Sequence, residues 1–218
     1  MKKIGVLGTG MVGQTIGSKL IQLGYEVKMG SRTANNEKAL SWVSANGKAA
    51  SAGTFADAAA YGEIIFNCTK GDVVLQIIEQ SGKENFKDKI LIDVSNPLDF
   101  SKGMPPSLIQ SLTNTNSLAE EIQKMLPEAK VVKTLNIVNC EVMVQAQKSG
   151  GDPTMFVSGN DAAAKAEVKK ILELFGWKDI IDLGDITTAR GMEMLLPIWL
   201  RTWQAIGNSY FAFKIVRA

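Results

Sequence analysis

Two short segments of the chain carry residues suited to binding a phosphorylated dinucleotide. The first is the glycine loop Gly8-Thr9-Gly10-Met11-Val12-Gly13, which has the Gly-x-Gly-x-x-Gly spacing of a phosphate-binding turn. The second is Ser31-Arg32, at the distance from the loop where such proteins distinguish their cofactors. A carboxylate there would accept a bond from a ribose 2′-hydroxyl, whereas a guanidinium pairs with a 2′-phosphate through two charge-assisted bonds. Arg32, assisted by the Ser31 hydroxyl, therefore predicts NADP(H).

Each glycine of the loop has its own mechanical role in such a site. Gly8 permits a tight turn, Gly10 lets a pyrophosphate approach the backbone, and Gly13 lets the following helix pack closely on the strand. The phosphates would lie over the N–H groups of the first helical turn, and Thr9 can add a hydroxyl. Without a ligand, the loop would be an ordinary turn and Ser31-Arg32 a solvated polar segment. The strand, the spacing and the cofactor-selecting residues together favour the binding site.

The surrounding periodicity predicts the elements that position these residues. Lys3–Leu7 is an apolar run typical of a buried strand, Val12 to Leu23 has the spacing of a helix that ends at Gly24, and Tyr25–Met29 predicts the next strand. Further strands are predicted over 48–51, 63–68, 89–94, 129–135, 154–158 and 179–182, and helices over 36–46, 54–61, 72–80, 119–126 and 161–175. This alternation predicts an α/β protein with a doubly wound, Rossmann-type, mostly parallel sheet.

In such sheets a ligand binds beyond the carboxyl ends of the strands. That rule selects Thr69 after the fourth strand, Asn96 and Pro97 after the fifth, and Asn136-Ile137 after the sixth. Asn96 offers both a donor and an acceptor to a carboxamide, and Pro97 restricts the turn. For Asn96 and Asn136, stabilisation of a turn is an equally good interpretation.

Two segments depart from the alternation. Residues 99–118 are rich in Ser, Pro, Asn and Thr and predict a long loop, either a lid or binding loop or a mobile insertion. The last segment predicts a helix that Pro197 kinks or restarts, because six large residues fall at helical spacing: Met192, Leu195, Trp199, Trp203, Ile206 and Tyr210. This segment packs on the core or a second subunit, or it contacts the substrate. We divide the chain into an NADP-binding domain, residues 1–185, and a small helical C-terminal extension, residues 186–218.

Composition excludes several classes of function. The 218 residues are 45% hydrophobic and carry a net charge of +2 without a basic tract, which argues against nucleic acid as a partner. The chain has no histidine and two cysteines, Cys68 and Cys140, so we predict no metal site, and Cys68 is expected to be a buried strand residue rather than a nucleophile. Neither a secretory signal nor a membrane span is predicted, so a cytoplasmic protein is expected.

The absence of histidine also restricts mechanism. The commonest general acid–base residue is missing, and no Tyr-x-x-x-Lys pair replaces it. Hydride transfer to a flavin or deazaflavin demands less proton transfer from the protein than oxidation of an alcohol does. We therefore assign no catalytic side chain.

Several segments together resemble the F420-dependent NADP oxidoreductases. They are the glycine loop, Gly30-Ser31-Arg32, Ser95-Asn96-Pro97, the strand Val131 to Asn136, and the later segments Phe156 to Asp161 and Asp182 to Asp185. The same pattern is similar to the cytoplasmic NADPH-binding domain of the six-transmembrane metalloreductases. The resemblance implies a homodimer that passes hydride between NADP(H) and a deazaflavin stacked on the nicotinamide, with binding geometry supplying most of the catalysis.

That resemblance also implies roles for individual residues. The adenine-side groups and pyrophosphate would be bound by Thr9, Gly10, Met11, Val12, Ser31 and Arg32. The nicotinamide end would be lined by Thr69, Asn96, Pro97 and Ile137. The favoured function is an NADP-dependent oxidoreductase whose acceptor is coenzyme F420 or a flavin. Two alternatives stay open: an imine or hydroxy-acid reductase of the pyrroline-carboxylate or 6-phosphogluconate type, which usually has a larger helical second domain, and a non-catalytic NADPH-sensing module.

Overall fold

A computed structural model describes residues 2–217, and its centre is one eight-stranded sheet. The strands of the chain are β1 (Lys3–Leu7), β2 (Glu26–Ser31), β3 (Ala50–Thr54), β4 (Ile64–Asn67), β5 (Ile90–Asp93), β6 (Leu98–Asp99), β7 (Ser107–Leu108), β8 (Lys130–Lys133), β9 (Thr154–Gly159) and β10 (Asp179–Gly184). The helices are α1 (Met11–Gln22), α2 (Glu37–Asn46), α3 (Phe55–Tyr61), α4 (Val74–Ser81), α5 (Leu118–Met125), α6 (Cys140–Val144), α7 (Ala162–Leu174), α8 (Ala189–Met194) and α9 (Leu196–Ile206).

The order of the sheet is β3-β2-β1-β4-β5-β8-β9-β10. Its first six strands are parallel and follow the order of a doubly wound dinucleotide-binding sheet. Strand β9 runs antiparallel to β8, and β10 is parallel to β9. The predicted α/β class with a mostly parallel, Rossmann-type sheet is confirmed.

Successive residues of the central strands contribute to two separate apolar clusters, so both faces of the sheet are covered. On β4, Ile64 and Phe66 belong to one cluster and Ile65 to the other. On β8, Val132 and Val131 divide in the same way. Strands buried on both faces read as continuous apolar runs, which is why the periodicity located them so well.

Residues 99–118, predicted as a loop, contain regular structure. Strands β6 and β7 pair antiparallel as a short ribbon, and a 3₁₀ turn at Gln110–Leu112 leads into α5. The ribbon strands are only two residues long, too short for alternation to show in the sequence.

At the C-terminal end, Pro197 lies in the first turn of α9, so it starts a second helix rather than kinking one. The helix ends where Gly207 adopts φ +67°. Tyr210 therefore lies outside it, and the expected continuation of the helix to this residue is wrong. Met192 of α8 packs with Ile137 and Phe156 against the sheet. The division of the chain at residue 185 stays a prediction. No helix within residues 2–217 has the length and apolar character needed to cross a membrane.

Candidate active site

The glycine loop joins β1 to α1 in the way that the sequence predicted. Gly8 has φ +114°, which L residues rarely adopt. A Cβ atom on Gly13 would lie 2.1 Å from the Gly8 carbonyl oxygen, so the helix can start this close only with glycine there. A Cβ on Gly10, in contrast, would meet no atom of the described chain within 4 Å. The first turn of α1 therefore begins beside open space. Because its N-cap residue is Gly10, no N-cap side chain binds the free N–H groups of this turn, which is the arrangement that a pyrophosphate requires.

Ser31 and Arg32 lie beside this turn, because the Gly8 amide donates to the Gly30 carbonyl at 3.0 Å. Arg32 is exposed and enters none of the ion pairs formed among residues 2–217. Ser31 is buried, and its hydroxyl donates to the Thr33 carbonyl at 2.5 Å. The Arg32 guanidinium is thus available to a 2′-phosphate. The Ser31 hydroxyl has one proton, so it can donate to the phosphate only after giving up its hydrogen bond to the Thr33 carbonyl.

A cleft of about 300 Å³ lies beyond the carboxyl ends of β4, β5 and β8. Four polar lining residues are called here the polar wall: Thr69, Ser95, Asn96 and Asn136. Five apolar lining residues are called the apolar wall: Leu98, Phe100, Leu196, Trp199 and Leu200. Val12 reaches the cleft from the glycine helix. A larger hollow of about 910 Å³ lies between α1, α2 and α6, away from these strand ends, and is lined by solvated Lys and Glu side chains.

Asn96 and Asn136 bond to each other across the polar wall. Asn96 Nδ2 donates to the Asn136 carbonyl at 2.8 Å, and Asn136 Nδ2 donates to Asn96 Oδ1 at 2.9 Å and to the Met192 carbonyl at 3.0 Å. Asn136 Oδ1 is buried and has no partner among the described residues. Buried acceptors of this kind are normally satisfied, so this oxygen suits an N–H group of a ligand. The pair therefore stabilises the loops and also leaves one oxygen for a ligand contact. Turn stabilisation and ligand binding, the two interpretations that the sequence left open, are thus compatible.

The backbone just before Asn136 is unusual. Leu135 has φ +60°, the left-handed region that bulky residues rarely adopt and that costs roughly 1–2 kcal/mol. Its side chain is fully buried. The neighbouring Thr134 hydroxyl donates to the Phe156 carbonyl at 2.8 Å, which helps to hold the turn. The chain thus turns sharply after β8 at the residue that presents Asn136, and no feature of the sequence indicated this.

A buried ionic cluster beneath the polar wall was also missed. Lys133 Nζ lies 2.7 Å from Asp93 Oδ2 and 2.9 Å from Glu193 Oε1, and all three side chains are inaccessible or nearly so. It also donates to the Ser95 carbonyl at 2.5 Å. Although burial opposes its charge, the two carboxylates raise the pKa of Lys133 above its usual value. Burial raises the pKa of Glu193, against the lowering effect of Lys133.

This cluster connects the loops that form the polar wall. Asp93 Oδ1 accepts from Asn67 Nδ2 and from the Ser95 hydroxyl, each at 2.7 Å. Asn67 Oδ1 in turn accepts from the Thr69 hydroxyl at 2.7 Å. The sequence did contain a signal for this cluster, because a charged residue follows each of two apolar runs, Asp93 in one and Lys133 in the other. The pairing of β5 with β8 makes these two residues neighbours.

Glu193 joins the cluster to two helices. Its carboxylate accepts from the Leu118 and Ala119 amides at 2.9 and 3.1 Å, so a side chain of α8 caps the first turn of α5. This long-range cap had no signal in the sequence.

Three other candidate residues have structural surroundings of their own. Pro97 is buried, and its carbonyl accepts from the Ile109 amide at 2.8 Å, which anchors the ribbon. Ile137 packs in the core with Met192 and does not line the cleft, so its predicted role at the nicotinamide end has no side-chain support. Cys68 lines the cleft, and burial raises the pKa of its thiol, which keeps it protonated and unreactive.

Met11 is 79% exposed on the first turn of α1. Within the described residues, no three His, Cys, Asp or Glu side chains are grouped so as to hold a metal ion.

Comparison with known proteins agrees with this geometry. The family model described as "NADP oxidoreductase coenzyme F420-dependent" matches residues 3–97, from β1 through the Asn96-Pro97 turn. Metalloreductase STEAP3 of Rattus norvegicus is 26% identical over 226 residues, covering 99% of this chain and 42% of the relative. Metalloreductase STEAP2 of Homo sapiens is 24% identical over 229 residues. The chain thus spans less than half the length of these two relatives.

Solved structures extend the likeness over the whole chain. A reductive aminase from Aspergillus terreus has a TM-score of 0.67 at 17% identity, with 94% of this chain and 63% of that chain covered, and at this identity it shows the fold alone. A protein from Arthrobacter sp. FB24, whose name gives F420-dependent NADP reductase as its proposed activity, has a TM-score of 0.95 and 50% identity with both chains fully covered. The chain therefore belongs to the F420-dependent NADP oxidoreductase family.

Proposed function

We propose that the chain transfers hydride between NADP(H) and a planar ring acceptor, coenzyme F420 or a flavin, inside the cleft between the polar and apolar walls. The observation that carries this proposal is the cleft itself. It is about 300 Å³ in volume, it begins at the glycine helix with Val12, and its two walls differ in chemistry. A polar wall suits the carboxamide of a nicotinamide, and an apolar wall suits the face of an aromatic ring.

The NADP half of the proposal rests on residues from the glycine loop and the strand ends. The open space at Gly10 accommodates the pyrophosphate over the α1 N–H groups, and the Arg32 guanidinium, which forms no ion pair within residues 2–217, binds the 2′-phosphate. Thr9, Met11 and Ser31 complete the proposed adenine and pyrophosphate contacts. Thr69, Asn96 and Asn136 bind the nicotinamide end, with Asn136 Oδ1 accepting from the carboxamide.

The acceptor half requires little chemistry from the protein. NADPH supplies the hydride when bound, and a flavin or deazaflavin ring can take its balancing proton from solvent. The residues then hold two rings face to face and exclude water from between them. The protonated Cys68 thiol has no part in this. Such a role agrees with a site in which no catalytic acid or base is assigned.

The direct test follows NADPH oxidation at 340 nm with F420, FMN, FAD and ferric chelates offered in turn, and repeats each reaction with NADH. We expect turnover with a ring acceptor and a preference for NADPH. The matched control is Gly10→Ala, which leaves the fold room for a Cβ but fills the space proposed for the pyrophosphate. Tight NADPH binding without oxidation of any acceptor would instead indicate the NADPH-sensing module, and turnover with imines or hydroxy acids alone would indicate a reductase of that class.

One observation favours a second candidate acceptor. The two STEAP relatives are named metalloreductases and cover 98–99% of this chain. Electrons from NADPH would then pass through a flavin to ferric iron. Ferric chelate reduction that depends on added FAD would support this function, whereas reduction of the chelate without a flavin would not.

A homodimer is also part of this proposal. Helix α9 carries exposed apolar side chains, with Ile198 52%, Ile206 55% and Trp203 39% accessible, and Met194 at the end of α8 is 39% accessible. Such a patch is typical of a surface covered by a second copy. Light scattering of the purified protein at micromolar concentration measures its mass directly, and Ile198→Asp should shift a dimer to the monomer. Cytoplasmic location stays a prediction.

A further inference from the structure

One indole in the cleft lacks the hydrogen-bond partner that the other buried indoles have. Trp42 Nε1 donates to a serine hydroxyl and Trp177 Nε1 to a backbone carbonyl, each at 2.9 Å. Trp203 on α9 is 39% exposed and can donate to water. Trp199 is 8% exposed, and its Nε1 is shut off from solvent without a partner among residues 2–217. A buried donor in this state is destabilising, and native structures normally supply its partner.

The position of Trp199 indicates where that partner comes from. The indole belongs to the apolar wall and lines the same cleft as the Asn residues of the polar wall. Phe211 stacks on it with ring centroids 5.3 Å apart and planes 16° from parallel, which fixes the orientation of the indole. A ring stacked on a nicotinamide held by the polar wall would share this cleft with Trp199, and a carbonyl at the edge of that ring can supply the acceptor atom that the indole N–H lacks among residues 2–217.

We infer that Trp199 is a specificity-determining residue whose Nε1–H donates to a ring carbonyl oxygen of the hydride acceptor. This inference rests on the proposed function, because it needs the acceptor to occupy the cleft. The pyrimidine ring of a flavin or deazaflavin carries carbonyl oxygens, whereas a phenazine is planar and has none. Trp199 would thus favour the first class over planar acceptors that lack a carbonyl. The second unpartnered atom, Asn136 Oδ1, lies on the polar wall and is left to the nicotinamide.

The test compares Trp199→Phe with Trp203→Phe. The two changes are chemically identical and lie on the same helix, and the ring centroids are 5.8 Å apart, but Trp203 does not line the cleft. We expect Trp199→Phe to raise KM for FMN or F420 roughly 3- to 10-fold and to leave the Kd for NADPH unchanged. With phenazine methosulfate as acceptor, KM should stay at the wild-type value. Trp203→Phe should change none of these constants.

Three results would overturn the inference. Equal increases in KM for the carbonyl-bearing acceptor and for the phenazine would reduce Trp199 to a packing residue. A raised Kd for NADPH would assign the donor to the nicotinamide instead. Unchanged constants would leave the donor without any ligand role.

Failure of the proposed function can be separated from failure of this inference. If the wild-type protein oxidises NADPH with no ring acceptor, the proposed function is wrong. Equilibrium binding of FMN and F420 to the protein saturated with NADP⁺ then decides the inference. An affinity loss confined to Trp199→Phe supports it, and equal affinities of wild type and Trp199→Phe, or no binding at all, overturn it.

A measurement on the wild-type chain covers the case in which Trp199→Phe fails to fold. The chain has four tryptophans, so ¹⁵N–¹H spectra contain four indole N–H signals. Addition of FMN to the NADP⁺-bound protein should move the Trp199 signal downfield, because its proton enters a hydrogen bond, while the Trp42 and Trp177 signals stay in place. A phenazine should stack without causing that downfield shift. An unmoved Trp199 signal with bound FMN would contradict the inference.

Discussion

Replacing Lys133 by Met removes one ammonium from the buried ionic cluster and keeps most of its apolar stem. The ammonium lies 2.7 Å from Asp93 and 2.9 Å from Glu193, and its side chain is fully inaccessible. After the substitution two carboxylates remain buried without a cation. Breaking a buried pair in this way typically costs about 3–5 kcal/mol.

The same loss in the free energy of unfolding can be worked out from the protonation of Glu193. Glu193 is the carboxylate expected to take up a proton, because burial already raises its pKa. Holding one glutamate neutral at pH 7, when it would ionise near pH 4.3 in the unfolded chain, costs about 3.7 kcal/mol. The two estimates agree, so we expect a loss of about 3–4 kcal/mol in the free energy of unfolding. That is a large part of the roughly 5–15 kcal/mol available to a domain.

The stability loss of Lys133→Met should also depend on pH. Native Lys133→Met would bind one more proton than its unfolded state, so its stability relative to wild type rises as pH falls, by about 1.4 kcal/mol per unit above the unfolded pKa. The deficit should therefore shrink toward about 1.6 kcal/mol at pH 5.5, the value expected if wild type takes up no proton over this range. In wild type the Lys133 ammonium lowers the pKa of Glu193 against the raising effect of burial, so proton uptake on folding is smaller there than in Lys133→Met.

Urea denaturation followed by far-UV circular dichroism at pH 7.0 and pH 5.5 measures both quantities. The matched control is Lys130→Met, on the same strand, because that side chain is 41% exposed and its nearest carboxylate oxygen, on Asp161, is 3.9 Å away. We expect the control to change stability by less than about 0.5 kcal/mol. A loss below about 1 kcal/mol for Lys133→Met, or a loss that does not vary with pH, would refute the reasoning.

Three further predictions concern the cofactor loop, Arg32 and the C-terminal tail. Gly10→Ala should weaken NADPH binding about tenfold or more and leave the free energy of unfolding within about 0.5 kcal/mol of wild type. Gly13→Ala should lower the free energy of unfolding by at least 1–3 kcal/mol, because its Cβ would lie 2.1 Å from a carbonyl oxygen; NADPH titration and urea denaturation of both variants measure these changes. Arg32→Ala should raise the Kd for NADPH about 10- to 150-fold and leave that for NADH unchanged, and equal losses for both cofactors would contradict the phosphate role. Hydrogen bonds from Lys214 and Thr154, and the charge of Arg217, lower the pKa of Asp179 to about 2. The contacts of Asp179 with Lys214 and Arg217, which anchor the C-terminal tail, are therefore fully stabilising above the unfolded pKa near 3.9 and are lost as pH falls through about 2. Hydrogen exchange in residues 210–217, corrected for intrinsic rates, should accelerate over that window, and Asp179→Asn should remove the pH dependence.

Local sequence patterns were sufficient to predict the fold and to propose the cofactor half of the site. The parallel strands β4, β5 and β8 are buried on both faces, so each appears as an apolar run that ends at a polar residue. The glycine loop is local chemistry as well, since a tight turn and a close helix contact both require particular residues within a few positions. Arg32 follows β2 directly and needs no distant contact to be interpreted.

The acceptor half depended on contacts between residues far apart in the chain. Periodicity placed Trp199 on a helix but could not show that it lines the same cleft as Asn136, with no partner for its Nε1 among residues 2–217, because that depends on how α9 packs against the strand ends. The charges of Asp93 and Lys133 were visible at the ends of apolar runs, yet only strand pairing makes them neighbours, and only the packing of α8 brings Glu193 to them. Sequence alone determined the fold class and the cofactor, because both follow from local residue patterns. The tertiary structure decided the walls of the cleft and the ionic cluster beneath it, because burial and pairing are properties of the packed chain.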